Sequence, residues 1–256
     1  MPKAKPMVVL VAGGTGFVGK HIVKLLERRG HKVIVHSRSQ KLLPTYADVI
    51  INLVGIIRED EQTFKEAHVD FTKWLVRVGR KLKVRQFVQM SAIGAASTGT
   101  QYQITKHQTE EIVRSSGLQY AIVRPSFIFG PEDASINRFR AIARTGFFPI
   151  LANGRAQPVH VDTVAQVIIA AAEGRVRNRA VEVGGPEVFT YKQLLDRVHP
   201  GVRTFRLPRF VVRFIAFFGE WFTFLPTREQ VVMMSQDSIT KDSTVERWGI
   251  RNPRLR

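Results

Sequence analysis

The chain has 256 residues, with 39 Lys and Arg against 21 Asp and Glu for a formal charge of +18, and no cysteine. That length suffices for one well-buried α/β domain with a small appended lobe, and the missing thiols exclude disulfides, thiolate metal sites and a cysteine nucleophile. Scattered histidines without a ligand spacing such as HExxH argue against a metal, and basic residues spread over the whole length without a DNA- or RNA-reading motif argue against nucleic acid, so the charge better suits an anionic membrane surface or an acidic protein.

The first apolar run, Val8 to Val11, leads into Ala12, Gly13 and Gly14. It is too short for a membrane span or a signal peptide core and reads as a first strand, which predicts a cytoplasmic protein. Val18, Ile22, Leu25 and Leu26 follow at helical spacing, with Lys20, Lys24, Glu27 and Arg28 turned outward. Gly30 closes that helix, and Val33 to Val35 reads as a second buried strand. Inside this β-α-β unit, Gly13, Gly16 and Gly19 form a GxxGxxG turn between strand and helix. Such a turn needs one glycine for its tightness, one for close approach of a pyrophosphate and one for helix packing, and the helix N-terminus faces the phosphates. The pattern predicts a dinucleotide.

The end of the second strand selects which one. An acid there would hold the ribose 2′-hydroxyl of NAD, whereas Ser37, Arg38 and the nearby Lys41 suit a 2′-phosphate and point to NADP(H). Only Ser39 to Asp48 separates this strand from the next, Val49 to Leu53. Ten residues reach at most about 33 Å, too little for a further strand with its flanking helices. The expected sheet has therefore lost its outer strand.

Ile50 to Ile57 reads as a buried strand and its mouth, where Gly55 allows close approach. The spacing of Phe64, Ala67, Phe71, Trp74, Leu75 and Val78 predicts one long amphipathic helix over 64–84. A strand over Gln86 to Met90 places Ser91 at its carboxyl end, the side on which open α/β sheets bind ligands. Ala92 to Thr100 has loop composition, Gln101 to Ser116 reads as a helix ended by Gly117, and Leu118 to Val123 as a strand stopped by Pro125. A turn at Phe129 to Glu132, a helix over Ile136 to Arg144 and an extended stretch over Gln157 to Val161 follow. Asp162 is expected to cap the next helix, which runs to Glu173. Ala180 to Val183 reads as a last strand, and Thr190 with Gln193 as a capping box for a helix through Val198.

Tyr102 and Lys106 stand four apart, so they share a helical face. A phenol titrating near 10 needs a neighbouring positive charge to act as acid or base at neutral pH, and Ser91 would hold the reacting oxygen. The apolar and basic tail from Phe205 to Pro226 carries Phe210, Phe214, Phe217, Phe218 and Trp221 on one helical face, with Arg206, Arg209 and Arg213 beside them. Packing of that stripe against the core is the favoured reading, and docking on an anionic membrane or membrane complex the other.

The glycine turn, Tyr102-x-x-x-Lys106, Ser91 at a strand end, and the run from Arg124 to Asp133, RPSFIFGPED, together resemble the short-chain dehydrogenase/reductase superfamily, in its extended or atypical branch. Within it, INLVGI, the Asn137-Arg138-Phe139 that follows, PVHVDTVA and VGGPEVFTYKQLL are similar to the group containing the dehydrogenase-like accessory subunit of respiratory complex I and its bacterial relatives. The resemblance covers about Val8 to Ser238.

It implies an α/β Rossmann fold with a doubly wound parallel sheet. The nucleotide domain would occupy about residues 1–200, with parts of a substrate lobe from about 126–160, and 201–256 would form an aromatic, basic helical segment of the small lobe. It also implies NADP(H) bound by Gly13, Thr15, Gly16, Phe17, Val18, Gly19, Ser37, Arg38, Leu53, Val54, Gly55, Tyr102, Lys106, Pro125, Phe127 and Ile128. In the superfamily's reductases the residue at Tyr102 protonates a carbonyl, that at Lys106 binds the nicotinamide ribose and that at Ser91 orients the substrate. Members near the complex I subunit hold the nucleotide structurally, and other relatives are linked to quinone metabolism. The departure lies at Ser39 to Asp48, where the family's further strand and its adenine-contacting Asp are missing. Three functions follow as expectations: a cofactor-holding subunit or assembly factor of a quinone-linked respiratory complex, peripheral at the membrane; an NADPH-dependent oxidoreductase acting on a carbonyl, quinone or isoprenoid-like substrate; and an NADP(H)-sensing regulator.

Overall fold

A computed structural model describes residues 5–37, 43–219, 222 and 225–255, without the side chains of Ala134, Ser135 and Arg209. Arg38, Lys41 and Trp221, singled out above, lie outside the described residues.

Strand β1 (Val8–Ala12) is apolar on both faces because both are covered. Val9 and Val11 enter one core layer, and Leu10 and Ala12 the opposite one. Helix α1 (Phe17–Arg28) covers the first layer with Val18, Ile22 and Leu26. Strand β2 (Lys32–His36) runs parallel to β1. The expected burial of Val33 to Val35 is only half met, since these residues are of intermediate exposure. Its position explains why. Among the described residues the central sheet is parallel and six-stranded, in the order β10-β5-β4-β3-β1-β2, so β2 is an edge.

Strand β3 (Val49–Asn52) is fully buried beside β1. The single long helix expected over 64–84 is instead a π-helical turn (Lys65–Asp70) running into α2 (Phe71–Leu82). The wider turn admits one extra residue without breaking the apolar stripe, which is why spacing alone does not separate the two. Next come β4 (Gln86–Met90), α3 (Gln101–Arg114) and β5 (Tyr120–Pro125), with Pro125 as the last strand residue rather than the breaker beyond it.

A short β6 (Ile128–Phe129) leads to α4 (Ala134–Ala143), β7 (Phe147–Ile150), β8 (Arg155–Ala156) and β9 (Val159–His160). Helix α5 (Val161–Ala172) is the most thoroughly buried helix segment, sandwiched against α1 and the sheet. Its N-cap is His160, whose Nδ1 accepts the Asp162 N–H at 3.2 Å. Asp162 therefore sits in the first turn, where its charge favours the helix dipole, and not at the expected cap. Strand β10 (Arg179–Val183) completes the sheet on β5. The capping box expected at Thr190 and Gln193 is present at the start of α6 (Tyr191–Val198), after β11 (Phe189–Thr190).

Strand β12 (Arg203–Arg206) runs parallel to β7, beside a small core of Ala143, Leu195, Val202, Phe139 and Phe148. Helices α7 (Arg209–Phe218) and α8 (Arg228–Met234) follow. The chain then returns to the main body: α9 (Thr244–Arg247) delivers Val245 to the central core, and Leu255 packs with Phe129, Ile136 and Leu194.

Candidate functional site

The glycine turn sits where β1 meets α1. Gly13 has φ +81, and its N–H donates to the His36 carbonyl at 3.2 Å. At Gly19 a Cβ would lie 2.2 Å from the Gly13 oxygen and 2.7 Å from Gly14, so the helix start is pressed onto the turn. Gly16 differs: a Cβ there would meet only the Gly13 oxygen, at 3.4 Å, leaving its other side open. Gly16 is also the N-cap of α1, with no side-chain cap and no acid in the first turn. Thr15 and Gly16 are exposed, Phe17 half-buried, and Val18 and Gly19 buried. Unfilled backbone donors at a positive dipole end form a phosphate site.

The turn abuts the mouth of β3, since a Cβ on Gly13 would come within 3.2 Å of the Leu53 carbonyl carbon and the Val54 nitrogen. Asn52, fully buried, fixes that mouth. Its amide donates to Thr72 at 3.1 Å and Gln89 at 2.9 Å, and its carbonyl accepts the Val54 N–H at 3.2 Å. Beyond Gly55, the Ile56 N–H donates to His68 Nε2 at 3.1 Å. That bond assigns the His68 proton to Nδ1, which lies 2.9 Å from Thr105 Oγ1. Burial and the Lys106 charge push His68 down to about 3, so the imidazole is neutral.

Helix α3 presents Tyr102, Lys106 and Glu110 at four-residue steps along one face. Lys106 is buried as a residue, at 3 % exposure, and its ammonium lies 5.9 Å from the Tyr102 ring centroid and would be 2.7 Å from a Cβ on Gly55. Among the described residues its Nζ has no hydrogen-bond or ion-pair partner. Burial lowers it to about 8, against the pull of the Glu110 charge. Tyr102 is half-buried, edge-on to His68 at 5.6 Å and to Phe64 at 5.9 Å, and burial raises its phenol to about 12. Desolvation dominates at this phenol, which keeps its proton at neutral pH.

Ser91 meets α3 two turns further along, donating to Glu110 Oε1 at 2.6 Å. Burial alone would raise the fully buried Glu110, but hydrogen bonds from Arg124 (2.8 and 2.6 Å), Ser91 and Arg114, together with the Arg124 charge, hold it below the usual carboxylate range. Tyr102 and Glu110 are about 12 Å apart along the helix axis at 1.5 Å per residue. The structure thus joins Tyr102 and Lys106 and gives the Ser91 hydroxyl to a buried ion network.

Of the remaining expected contacts, Leu53 and Pro125 are buried and Ser37, Val54 and Phe127 half-buried at or just past the carboxyl ends of their strands, while the half-buried Ile128 begins β6. Phe17 reaches across to Gly130, where a Cβ would lie 3.5 Å from its ring. Sequence reasoning missed His68, Asn52, Glu110 and Glu229. The first three carry a signal, a polar residue on or beside a buried stripe. Glu229 carries none: from α8 it accepts the N–H groups of Gln101 at 2.6 Å and Tyr102 at 3.1 Å, 127 residues away from the latter. The open glycine turn and the partnerless buried ammonium fit a dinucleotide running from Gly16 past Gly55.

A family model described as the NAD dependent epimerase/dehydratase family matches residues 9–184, more than half of the chain. The chain belongs to that family. Among curated proteins it is similar to subunit 9 of the NADH dehydrogenase [ubiquinone] 1 alpha subcomplex, mitochondrial, from Arabidopsis thaliana, at 28 % identity over 80 % of this chain and 60 % of the relative. The Mus musculus protein of the same name is 25 % identical over 82 % of this chain and 66 % of its own length. A ceramide reductase from Caulobacter vibrioides is 26 % identical over 64 % of this chain and 60 % of its own. The chain thus spans less than two thirds of the length of these relatives. Among solved structures, UDP-glucose 4-epimerase from Thermotoga maritima superposes with a TM-score of 0.71 at 18 % identity, covering 96 % of this chain and 94 % of that one. The Thermus thermophilus UDP-glucose 4-epimerase, in complex with NAD, gives 0.69 at 19 % identity over 96 % and 94 %. Both support the epimerase/dehydratase family's Rossmann-type fold, with a membrane-spanning helix absent among the described residues.

Proposed function

We propose that this epimerase/dehydratase-family protein binds NADP(H) between the Gly13 to Gly19 turn and the Tyr102–Lys106 face, and serves as a cofactor-holding accessory subunit or assembly factor of a quinone-linked respiratory complex. The observation that carries nucleotide binding is Lys106, an ammonium buried beside Gly55 with no acceptor, which a ribose diol would supply. Ser37, Arg38 and Lys41, by sequence, offer the hydroxyl and cations suited to a 2′-phosphate. The names of the subunit 9 relatives support the place beside a membrane complex.

The first experiment is the mass of nucleotide released when the purified protein is denatured, followed by titration with NADPH and NADH. NADPH is expected to bind at least about tenfold more tightly, and Arg38→Ala to erase most of that margin, a loss of about 1.4 kcal/mol. Equal dissociation constants would end the NADP assignment, and uptake of neither nucleotide would end the whole reading.

A half-exposed, protonated phenol beside a buried ammonium also supports a second reading, a reductase. The bound nucleotide would supply a hydride to a carbonyl or quinone carbon. Tyr102 would give its proton to the oxygen and Lys106 would hold the ribose, while the Ser91 hydroxyl donates to Glu110. Single-turnover oxidation of bound NADPH by a panel of quinones and aldehydes separates the two roles. Loss of turnover in Tyr102→Phe favours the enzyme, and nucleotide that stays bound and unreacted in the parent favours the scaffold.

A further inference from the structure

Helix α7 is turned inside out. Val212, Ala216 and Gly219, at steps of four and three, are the buried positions, so small residues face the protein. On the opposite side, Phe210 is 72 %, Phe214 65 % and Phe217 40 % exposed, and Phe205 before the helix and Phe222 after it are 45 % and 48 % exposed. The favoured expectation, that this aromatic stripe packs on the core, does not hold for Phe210, Phe214 and Phe217, which face solvent, whereas Phe218 is half-buried. Exposed phenylalanines this dense, on one ridge, are what soluble surfaces avoid unless something covers them.

The charges around the ridge indicate what covers it. From Val202 to Gly219 the sequence holds Arg203, Arg206, Arg209 and Arg213 and no acidic residue. Arg206 and Arg213 are exposed, and Arg228 lies 4.9 Å over the Phe217 ring. Aromatic rings flanked by cations on one short helix match a bilayer whose headgroups are anionic: the rings reach the acyl boundary and the guanidiniums meet phosphates. At 1.5 Å per residue α7 is about 15 Å long, too short to cross a membrane and long enough to lie in its interface.

The helix is also braced for such a contact. Arg58, three residues past Gly55, donates to the carbonyls of Gly219, Phe222 at 3.3 Å and Leu225 at 3.2 Å, holding the end of α7. Gln230 of α8 donates to the Ile57 carbonyl at 3.2 Å, and Glu229 caps the helix that bears Tyr102. A surface seated on α7 is therefore seated close to the stretch after Gly55 and to the start of α3.

We infer that α7 is an interfacial docking helix for an anionic lipid bilayer, lying in the headgroup plane with Phe210, Phe214 and Phe217 inserted. The cleft between Gly55 and Tyr102 then sits close to the membrane surface, within reach of a lipid-dissolved substrate or a membrane-bound neighbour. This docking does not depend on which nucleotide the protein holds.

The test is sedimentation of the full chain with vesicles of phosphatidylcholine alone and of phosphatidylcholine mixed with phosphatidylglycerol. Binding is expected only to the mixed vesicles, weakening as salt is raised. The double variant Phe210→Ser with Phe214→Ser, which changes only exposed side chains, is expected to lose at least about tenfold in partition coefficient while melting at the same temperature and binding nucleotide as the parent does. Equal binding to both vesicles, binding to neither, or an unchanged serine variant overturns the inference. So does sedimentation velocity showing a dimer that the serine variant dissociates, because the ridge would then be an interface between copies. Nucleotide titration on the same samples keeps a failure of docking distinct from a failure of the proposed function.

Discussion

Lys106 is a buried residue whose ammonium meets no carboxylate or carbonyl acceptor among the described residues. Burial lowers it from 10.5 to about 8 against the pull of Glu110. That lowering corresponds to a penalty on the order of 3 kcal/mol at neutral pH. The unfolded chain keeps this proton until about pH 10.5 and the folded chain releases it near 8, so the penalty is complete below pH 8 and relieved as pH rises through that interval. Replacing Lys106 by Met is therefore expected to stabilise the nucleotide-free protein by up to about 3 kcal/mol at pH 7, with the gain vanishing near pH 10.5, and to weaken nucleotide binding. Chemical denaturation at several pH values checks this. A Lys106→Met protein less stable than the parent at pH 7 would show that the ammonium is already satisfied and would remove the main support for a ribose site. The neighbouring Ser91 shows why single residues are harder to assign than pairs. Tyr102 and Lys106 were legible because helical spacing fixes their common face, whereas the direction of the Ser91 hydroxyl depends on Glu110, Arg124 and Arg114, which only the folded chain gathers.

At the scale of elements, the strands and most helices follow from periodicity, and the failures have physical causes. Val33 to Val35 is apolar enough for an inner strand, yet β2 is an edge, because sequence pattern records that a face is covered and not how many neighbours a strand has. The turn from Lys65 to Asp70 keeps the stripe of Phe64, Ala67 and Phe71 while widening to a π-helix, and that widening sets His68 between the Ile56 N–H and Thr105. His68 is thus a positioning residue linking the mouth of β3 to the helix of Tyr102. Its folded value of about 3, against 6.5 in the open chain, means that the unfolded state takes up the proton first on acidification. Stability should fall as pH drops through the window from 6.5 to 3, by several kcal/mol in total. His68→Gln, which keeps an acceptor for Ile56 and a donor for Thr105, is expected to flatten that part of the stability profile and to leave stability at pH 8 within about 1 kcal/mol of the parent. Identical acid limbs for the two proteins would place the acid sensitivity elsewhere.

For the molecule as a whole, the late part of the chain is the part that local pattern least reveals. A capping box at Thr190 and Gln193 could be read directly, because it spans four residues. The contact of Glu229 with Gln101 and Tyr102 could not, because it joins α8 to the start of α3 across the body of the protein. That start already has its own capping box from Thr100 and Gln103. The Glu229 carboxylate satisfies two further orphan donors and places a negative charge at the positive end of the helix. Gln103 adds a second tie, donating to Gln236 at 2.6 Å. Tyr102 thus sits on a helix whose first turn is held from α8, which follows the aromatic ridge of α7. Glu229→Ala should cost roughly 1 to 2 kcal/mol in global stability. Its more telling effect is local: amide hydrogen exchange at Gln101 and Tyr102 should speed by about tenfold or more, while amides in the second half of α3, which are held within the helix, exchange as before. Faster exchange along all of α3 would mean that the clasp secures the entire helix, and unchanged exchange at Gln101 and Tyr102 would mean that α8 meets the start of α3 without holding it.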